Sequence, residues 1–422
     1  MFNSKIKLDF PLFNKYPNLI YLDNAATSQK PQIVIDALSQ YYREFNFPIF
    51  KGYSTLSQKT QNLFFRNKKD IANFFHLSTE QLIFIPGGTT LTINLLANSL
   101  INKIKVNSTI VLSVLEHHAN LLIWQKLAKK KNLKIEFIPL EKNGLLDLIY
   151  LKQLLNSNPN ISLFSLVYVS NVMGLINPMK KIGQLIDNYR QKKTTPTYFF
   201  IDGAQAVSHL NFNFNHLKAD GLFFSSHKML GPLGLGVLLV SKNFLNQSEP
   251  FFLGGGIVQQ VNFENYQLTL DQNQKFLAGS LDGASIYSLK IACQYLAKFK
   301  MSEIQTNTQK LIDYAYQKLT NIKNIVIVGG QKNRLNLISF YFTHYDSFEI
   351  ASFLTNQNIL IRSGYHCAQP IHQYLKIPQT LRLSLQLYNT SDDIDQLIKQ
   401  LKIVPSLFTN SFQIKANEKS KC

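Results

Sequence analysis

The chain has 422 residues, 45% hydrophobic and 16% charged, which excludes a disordered protein and leaves room for two or three domains. A formal net charge of +19 raises a nucleic-acid partner, but no nucleic-acid-binding signature accompanies it, and heavy use of Lys, Asn, Ile and Phe makes compositional bias the simpler source. No apolar run reaches the roughly 18 residues that cross a bilayer, so a soluble, cytoplasmic protein without membrane attachment is expected.

Residues 1–20 read as an N-terminal arm. From about residue 80, β-branched and aromatic runs alternate with helical patterns. LIFIP (82–86), TIVLSVLE (109–116), ISLFSLVYVS (161–170), TYFFID (197–202), GLFFSS (221–226) and LGVLLV (235–240) are predicted strands. HHANLLIWQKLAKKKN (117–132) and KKIGQLIDNYRQKK (180–193) carry helical spacing. This alternation predicts an α/β large domain over 21–285 with a mostly parallel sheet, whose ligands sit at the strands' C-terminal ends. A helix over 284–300 and another near 302–320 follow. Then come NIVIVG, LNLISFYFTH, a helix near 347–357 and NILIRSG, which together read as a smaller α+β domain over 286–405. Residues 406–422 form a polar tail.

Three cysteines are too few for a disulfide framework or a zinc site. Ile286, Leu289, Cys293 and Leu296 fall on one helical stripe, where Cys293 acts as a small hydrophobe. Cys422 ends the polar tail. Cys367 is different: it lies in RSGYHCAQP (362–370), a polar, turn-like stretch, and needs a chemical explanation.

The strongest chemical signal is FFSSHKMLGPLGLG (223–236). Lys228 sits on a strand-end loop among small residues, where partial burial lowers an amine's pKa and favours imine formation. YFFIDGAQAV (198–207) ends a strand with Asp202, which either caps the next helix or holds a protonated pyridine nitrogen. His117 and His118 stand at another strand end, where an imidazole stacks on a flat cofactor or simply faces solvent. FIPGGTTLTINLLANSL (84–100) is a strand, a Gly-Gly turn and two threonines opening a helix, an arrangement suited to phosphate.

In order along the chain, YLDNAAT, the phosphate turn, EHHAN, VSNVMG, DGAQAV, SSHKMLGPLGLG, GGG, RSGYHCAQP and RLSLQLYNT resemble class V aminotransferase-fold enzymes over roughly residues 8–400. More narrowly, they resemble the group II, or SufS-type, cysteine desulfurases. That resemblance implies a pyridoxal 5'-phosphate enzyme of fold type I. Lys228 would carry the cofactor as a Schiff base and act as a proton-transfer group. His117 would stack on the ring, Asp202 would pair with its nitrogen, and Gln205 would bond the phenolic oxygen. Thr90, Ser225 and His227 would hold the phosphate. Ser280 would reach the phosphate of the other subunit of a homodimer. Asn171 and Arg382 would bind the carboxylate of L-cysteine. Cys367, on a mobile and accessible loop, would take the substrate's sulfur as a persulfide and hand it to an acceptor protein for iron–sulfur cluster assembly. Metal ligands are not expected.

The chain departs from that family's usual residues at several places. Gly87, Leu91 and Leu253 stand where charged residues are common, Phe50 and Lys51 where His-Arg is common, and Tyr365 where histidine is common. Ser280-Leu281-Asp282 replaces Thr-Pro-Asn but keeps a hydroxyl. Selenocysteine lyase or cysteine-sulfinate desulfinase activity, or a non-catalytic scaffold, are the competing readings.

Overall fold

Seven strands form one sheet in the computed structural model, which describes residues 4–50 and 52–419. Lys51 and Cys422 lie outside the described residues. The strands are β1 (Leu82–Pro86), β2 (Thr109–Ser113), β3 (Lys134–Ile138), β4 (Ile161–Val167), β5 (Tyr198–Asp202), β6 (Gly221–Ser225) and β7 (Leu235–Val240). Their order across the sheet is β1-β7-β6-β5-β4-β2-β3. The β2–β3, β2–β4, β4–β5 and β5–β6 pairs are parallel, and β7 runs antiparallel to both its neighbours. Strands β2, β4, β5, β6 and β7 are buried at every position, because helices cover both faces of the sheet. Their near-continuous apolar runs follow from that burial.

The helices Gln32–Glu44 and Thr55–Phe74 precede the stretch where elements were read, and two strand elements further on were also not anticipated. KIEFI, which becomes β3, alternates charged and apolar residues and lies at the sheet's edge, so it lacks the apolar run that marks its neighbours. An antiparallel hairpin of Val258–Val261 and Tyr266–Leu268 is mostly exposed and carries little apolar pattern.

A second sheet of four antiparallel strands has the order β8-β9-β11-β10. Its strands are β8 (Ile325–Ile327), β9 (Leu337–Phe342), β10 (Arg362–Gly364) and β11 (Thr380–Ser384). The final helix runs Ser391–Lys419, through much of the stretch that reads as a polar tail.

Among the features that join the sheets, two stand out. Fully buried Arg334 donates to the carbonyls of Val328, Gly329 and Gly330, each at 2.9 Å, and also to that of Met173 in the loop after β4. The other joint is the N-terminal segment. Ile20–Tyr21 pairs in parallel with Ile359–Leu360, Asp23 bridges to Ser384 of β11, and Gln205 Nε2 donates to the Ala25 carbonyl at 2.9 Å. One strap therefore touches both sheets.

Candidate active site

The parallel strands β2, β4, β5 and β6 all end on the same edge of the sheet, so the residues that follow them converge. A cavity of about 250 Å³ opens there. Its wall includes Thr90, His117, Asn171, Asp202, Gln205, Ser225, His227, Lys228, Cys367 and Arg382. These are ten of the eleven candidate residues read from the sequence. Ser280 is the eleventh: it lines a second cavity with Tyr41, Phe47 and Gly256, so within one chain it does not join the others.

At the phosphate turn, α1 (Gly88–Leu100) begins directly after Gly87. Both glycines have positive φ, +85° and +66°. A Cβ on Gly88 would lie 2.9 Å from Ser225 Oγ, so only glycine lets the helix start approach the end of β6. The Thr89 amide donates to Ser225 Oγ at 2.7 Å, and the two hydroxyls lie 2.6 Å apart. Gly87 also packs on Leu91, whose Cβ would lie 2.9 Å from a Cβ at position 87. Leu91 and Leu253, where charges are usual, are both exposed apolar side chains. Phe50 instead packs edge-on against Phe64 and Phe65.

His117 caps α2 (His118–Lys131), its Nδ1 accepting from the Ala119 amide at 3.1 Å. Burial, reinforced by Lys228, pushes this imidazole down to about 3, so it is neutral with the proton on Nε2. Beneath it, buried Glu116 accepts from Ser113 Oγ, from Asn120 Nδ2 at 2.6 Å and from the Val167 amide at 3.0 Å. Burial still pushes Glu116 up to about 8.

Asp202 ends β5 and accepts from the Ala204 amide at 2.9 Å. Burial raises its pKa, while the nearby Lys228 charge opposes the rise. Lys228 follows β6 on a single turn of 3₁₀ helix, Ser226–Lys228. Burial pushes its amine down to about 8, against the pull of Asp202.

Arg382 on β11 is buried at 3% exposure. It donates to the Asn171 carbonyl at 3.0 Å and to Asp23 Oδ1 at 3.1 Å. Arg362 on β10 approaches the other oxygen of Asp23 at 3.6 Å. Asn171 Nδ2 donates to the His366 carbonyl at 2.7 Å.

Cys367 is exposed, and its surroundings answer the question its sequence context raises. Gly364, His366 and Cys367 all have positive φ, forming a tight turn that leads into the helix Gln369–Leu375. The His118 amide donates to the Cys367 carbonyl at 2.7 Å, and the Gln369 amide donates to His118 Nε2 at 3.2 Å. The backbone of the turn is thus hydrogen-bonded to the start of α2, while the thiol itself is open. By contrast Cys293 is buried in its helix, and burial pushes its thiol up. Among the described residues no cluster of side chains could hold a metal ion.

Reading motif by motif missed Thr89, Ala26, Arg362 and the pairing role of Asp23. Arg362 and Asp23 both lie within the quoted motifs. Only the fold shows that a strap residue meets two arginines more than 300 positions away.

The family model for class-V aminotransferases matches residues 20–397. The chain belongs to the class-V aminotransferase family. Over 408 residues it is 34% identical to a cysteine desulfurase of Yersinia pestis (strain Pestoides F), covering 96% of this chain and 98% of that one. The apo structure of a cysteine desulfurase from Thermococcus onnurineus NA1 superposes with a TM-score of 0.88 at 29% identity, covering 95% and 98% of the two chains. The cysteine desulfurase CsdA from Escherichia coli gives a TM-score of 0.85 at 26% identity, covering 96% and 99%. Members of the family are pyridoxal-phosphate enzymes.

The wall of this chain's cavity fits that cofactor. Gly88 leaves a cradle beside Ser225 that a side chain would fill, at a helix N-terminus suited to phosphate. Asp202 offers a buried carboxylate, and Lys228 an amine whose proton is weakly held. His227 Nδ1, Asn171 Oδ1, His366 Nδ1 and Arg382 Nε are buried polar atoms without a protein partner, as expected of walls that close on a polar ligand.

Proposed function

We propose that this chain is a cysteine desulfurase that converts L-cysteine to L-alanine and takes the sulfur as a persulfide on Cys367. The observation that carries the reading is that the Lys228 amine, the Cys367 thiol and the Arg382 guanidinium line one cavity, although they come from three separate parts of the chain. When bound, pyridoxal phosphate supplies an electron sink for bond changes at the substrate's α-carbon.

This chain's own residues would do the rest. Thr89, Thr90, Ser225 and His227 would hold the phosphate, Asp202 the ring nitrogen, Gln205 the phenolic oxygen and His117 the ring face. Lys228 is the residue positioned to anchor the cofactor and to move the substrate's α-proton, because its neutral amine is accessible near pH 8. Arg382 arrives pre-oriented by Asp23 and Asn171, and with Arg362 it offers the positive charge that a substrate carboxylate needs. Cys367 presents its thiol from a pinned turn, close enough to the cavity to meet the substrate's sulfur and open enough to meet an acceptor protein.

The motif pattern favours the SufS-type subgroup, with the sulfur destined for iron–sulfur cluster assembly in the cytoplasm. Ser280, outside the main cavity, suits service to the partner's phosphate in a homodimer.

The test is Cys367→Ala in the cofactor-loaded protein. The variant is expected to keep its visible absorption band while alanine and sulfide formation from L-cysteine fall at least about a hundredfold. Undiminished release of sulfur would refute the assignment.

A further inference from the structure

The polar groups of residues 27–30, at and just beyond the end of the YLDNAAT motif, have no assigned role, yet they converge on one atom: the carbonyl oxygen of His227, which belongs to the peptide bond leading into Lys228. That oxygen accepts from Lys30 Nζ at 2.8 Å, from Ser28 Oγ at 2.9 Å and from the Ser28 amide at 3.1 Å. Thr27 Oγ1 adds a longer contact at 3.4 Å, so four donors crowd a carbonyl that has two lone pairs. On the far side of Lys228, the Leu230 amide donates to Ser28 Oγ at 3.0 Å. The Ser28 hydroxyl therefore spans the lysine: it gives its proton to the residue before and accepts one from two residues after.

The bridged turn is strained. Leu230 has φ +66°, a left-handed conformation that is unfavourable for a non-glycine residue and persists only when its surroundings over-determine it. Lys30 is unusual as well. It makes no ion pair among the described residues and spends its ammonium on the carbonyls of His227 and Ser28. Burial pushes that amine down to about 7. A half-buried lysine without a carboxylate is a cost the fold carries for some other purpose. The strap is itself anchored: the Gln29 amide donates to Tyr388 Oη at 3.0 Å, and Phe10 and Phe13 pack on the Tyr388 ring.

We propose that Ser28 and Lys30 are positioning residues of the reaction, fixing the backbone on both sides of Lys228 so that only the lysine side chain moves during turnover. The proposal rests on the assignment of Lys228 made above. Neither residue lines the cavity, so each acts through the backbone that bears the amine.

Hydrogen–deuterium exchange on the cofactor-loaded chain, read by mass spectrometry on the peptide spanning residues 226–234, tests it together with steady-state kinetics. Ser28→Ala and Lys30→Met are each expected to speed exchange in that peptide roughly tenfold, the effect of losing about one net hydrogen bond. They should lower kcat roughly ten- to a hundredfold while KM for L-cysteine stays within about twofold, as expected of a misplaced reacting group. Ser28→Thr and Lys30→Arg, which keep the donors, should retain most of the rate. Unchanged exchange, or faster exchange with unchanged kcat, overturns the proposal, as does a KM that rises as far as kcat falls. If Lys30→Met does not accumulate as folded protein, Ser28→Ala, which removes one hydroxyl, supplies the answer alone. Failure of the Lys228 assignment is separately visible, because Lys228→Ala would then retain turnover whatever the exchange shows.

Discussion

Arg382 donates from one terminal nitrogen to Asp23 Oδ1 at 3.1 Å and from the other to the Asn171 carbonyl at 3.0 Å. Both contacts need the planar guanidinium fork. Lysine, a point charge on a flexible stem, cannot make them together while still facing the cavity. Arg382→Lys is therefore expected to raise KM for L-cysteine roughly tenfold or more, with a smaller fall in kcat. Steady-state kinetics checks this, and an unchanged KM would place the substrate's carboxylate elsewhere.

The Lys228 amine gives a pH prediction with a definite sign. Burial lowers its pKa to about 8, so below that value the amine is mostly protonated and unreactive. Protein stripped of its cofactor should recombine with pyridoxal phosphate roughly tenfold faster for each pH unit gained below 8, and level off above it. The negative charge of Asp202 holds the proton on, so Asp202→Asn should move the inflection to lower pH. Stopped-flow absorbance measures both. A flat profile would mean that the amine is not rate-determining in this range.

Glu116 links the site to stability. Its pKa rises on folding from 4.5 to about 8, because burial outweighs three hydrogen bonds. The folded state thus binds a proton that the unfolded state releases. That contribution to stability is fully present below pH 4.5 and is lost as pH rises through about 8. Asp202 and Asp220, also raised by burial, act in the same direction. Glu116→Gln keeps the shape but cannot ionise, so its urea midpoint should decline less between these pH values than that of the unaltered chain. Parallel declines would show that Glu116 does not hold the proton.

Much of the fold was legible because its parallel strands are buried on both faces and read as unbroken apolar runs. FFSSHKM and DGAQAV were legible as chemistry because each follows such a run directly, at the sheet edge where ligands bind. Edge strand Lys134–Ile138 was not, since half its pattern faces solvent. The roles of Asp23, Ser28 and Lys30 were invisible for another reason. Each depends on contacts some 200 to 360 positions away in the chain, and no local pattern encodes them. The turn at Cys367 shows the same limit: nothing in its polar composition foretells the hydrogen bond its backbone accepts from the amide of His118.

The account stands most directly on where the sulfur goes. Cofactor-loaded protein should be mixed with L-cysteine in the absence of an acceptor, alkylated and digested, and the peptides bearing Cys293, Cys367 and Cys422 weighed. One added sulfur atom on the Cys367 peptide, with Cys293 unmodified, is the predicted result. Alanine formed in stoichiometric amount with no extra sulfur on Cys367 would contradict it.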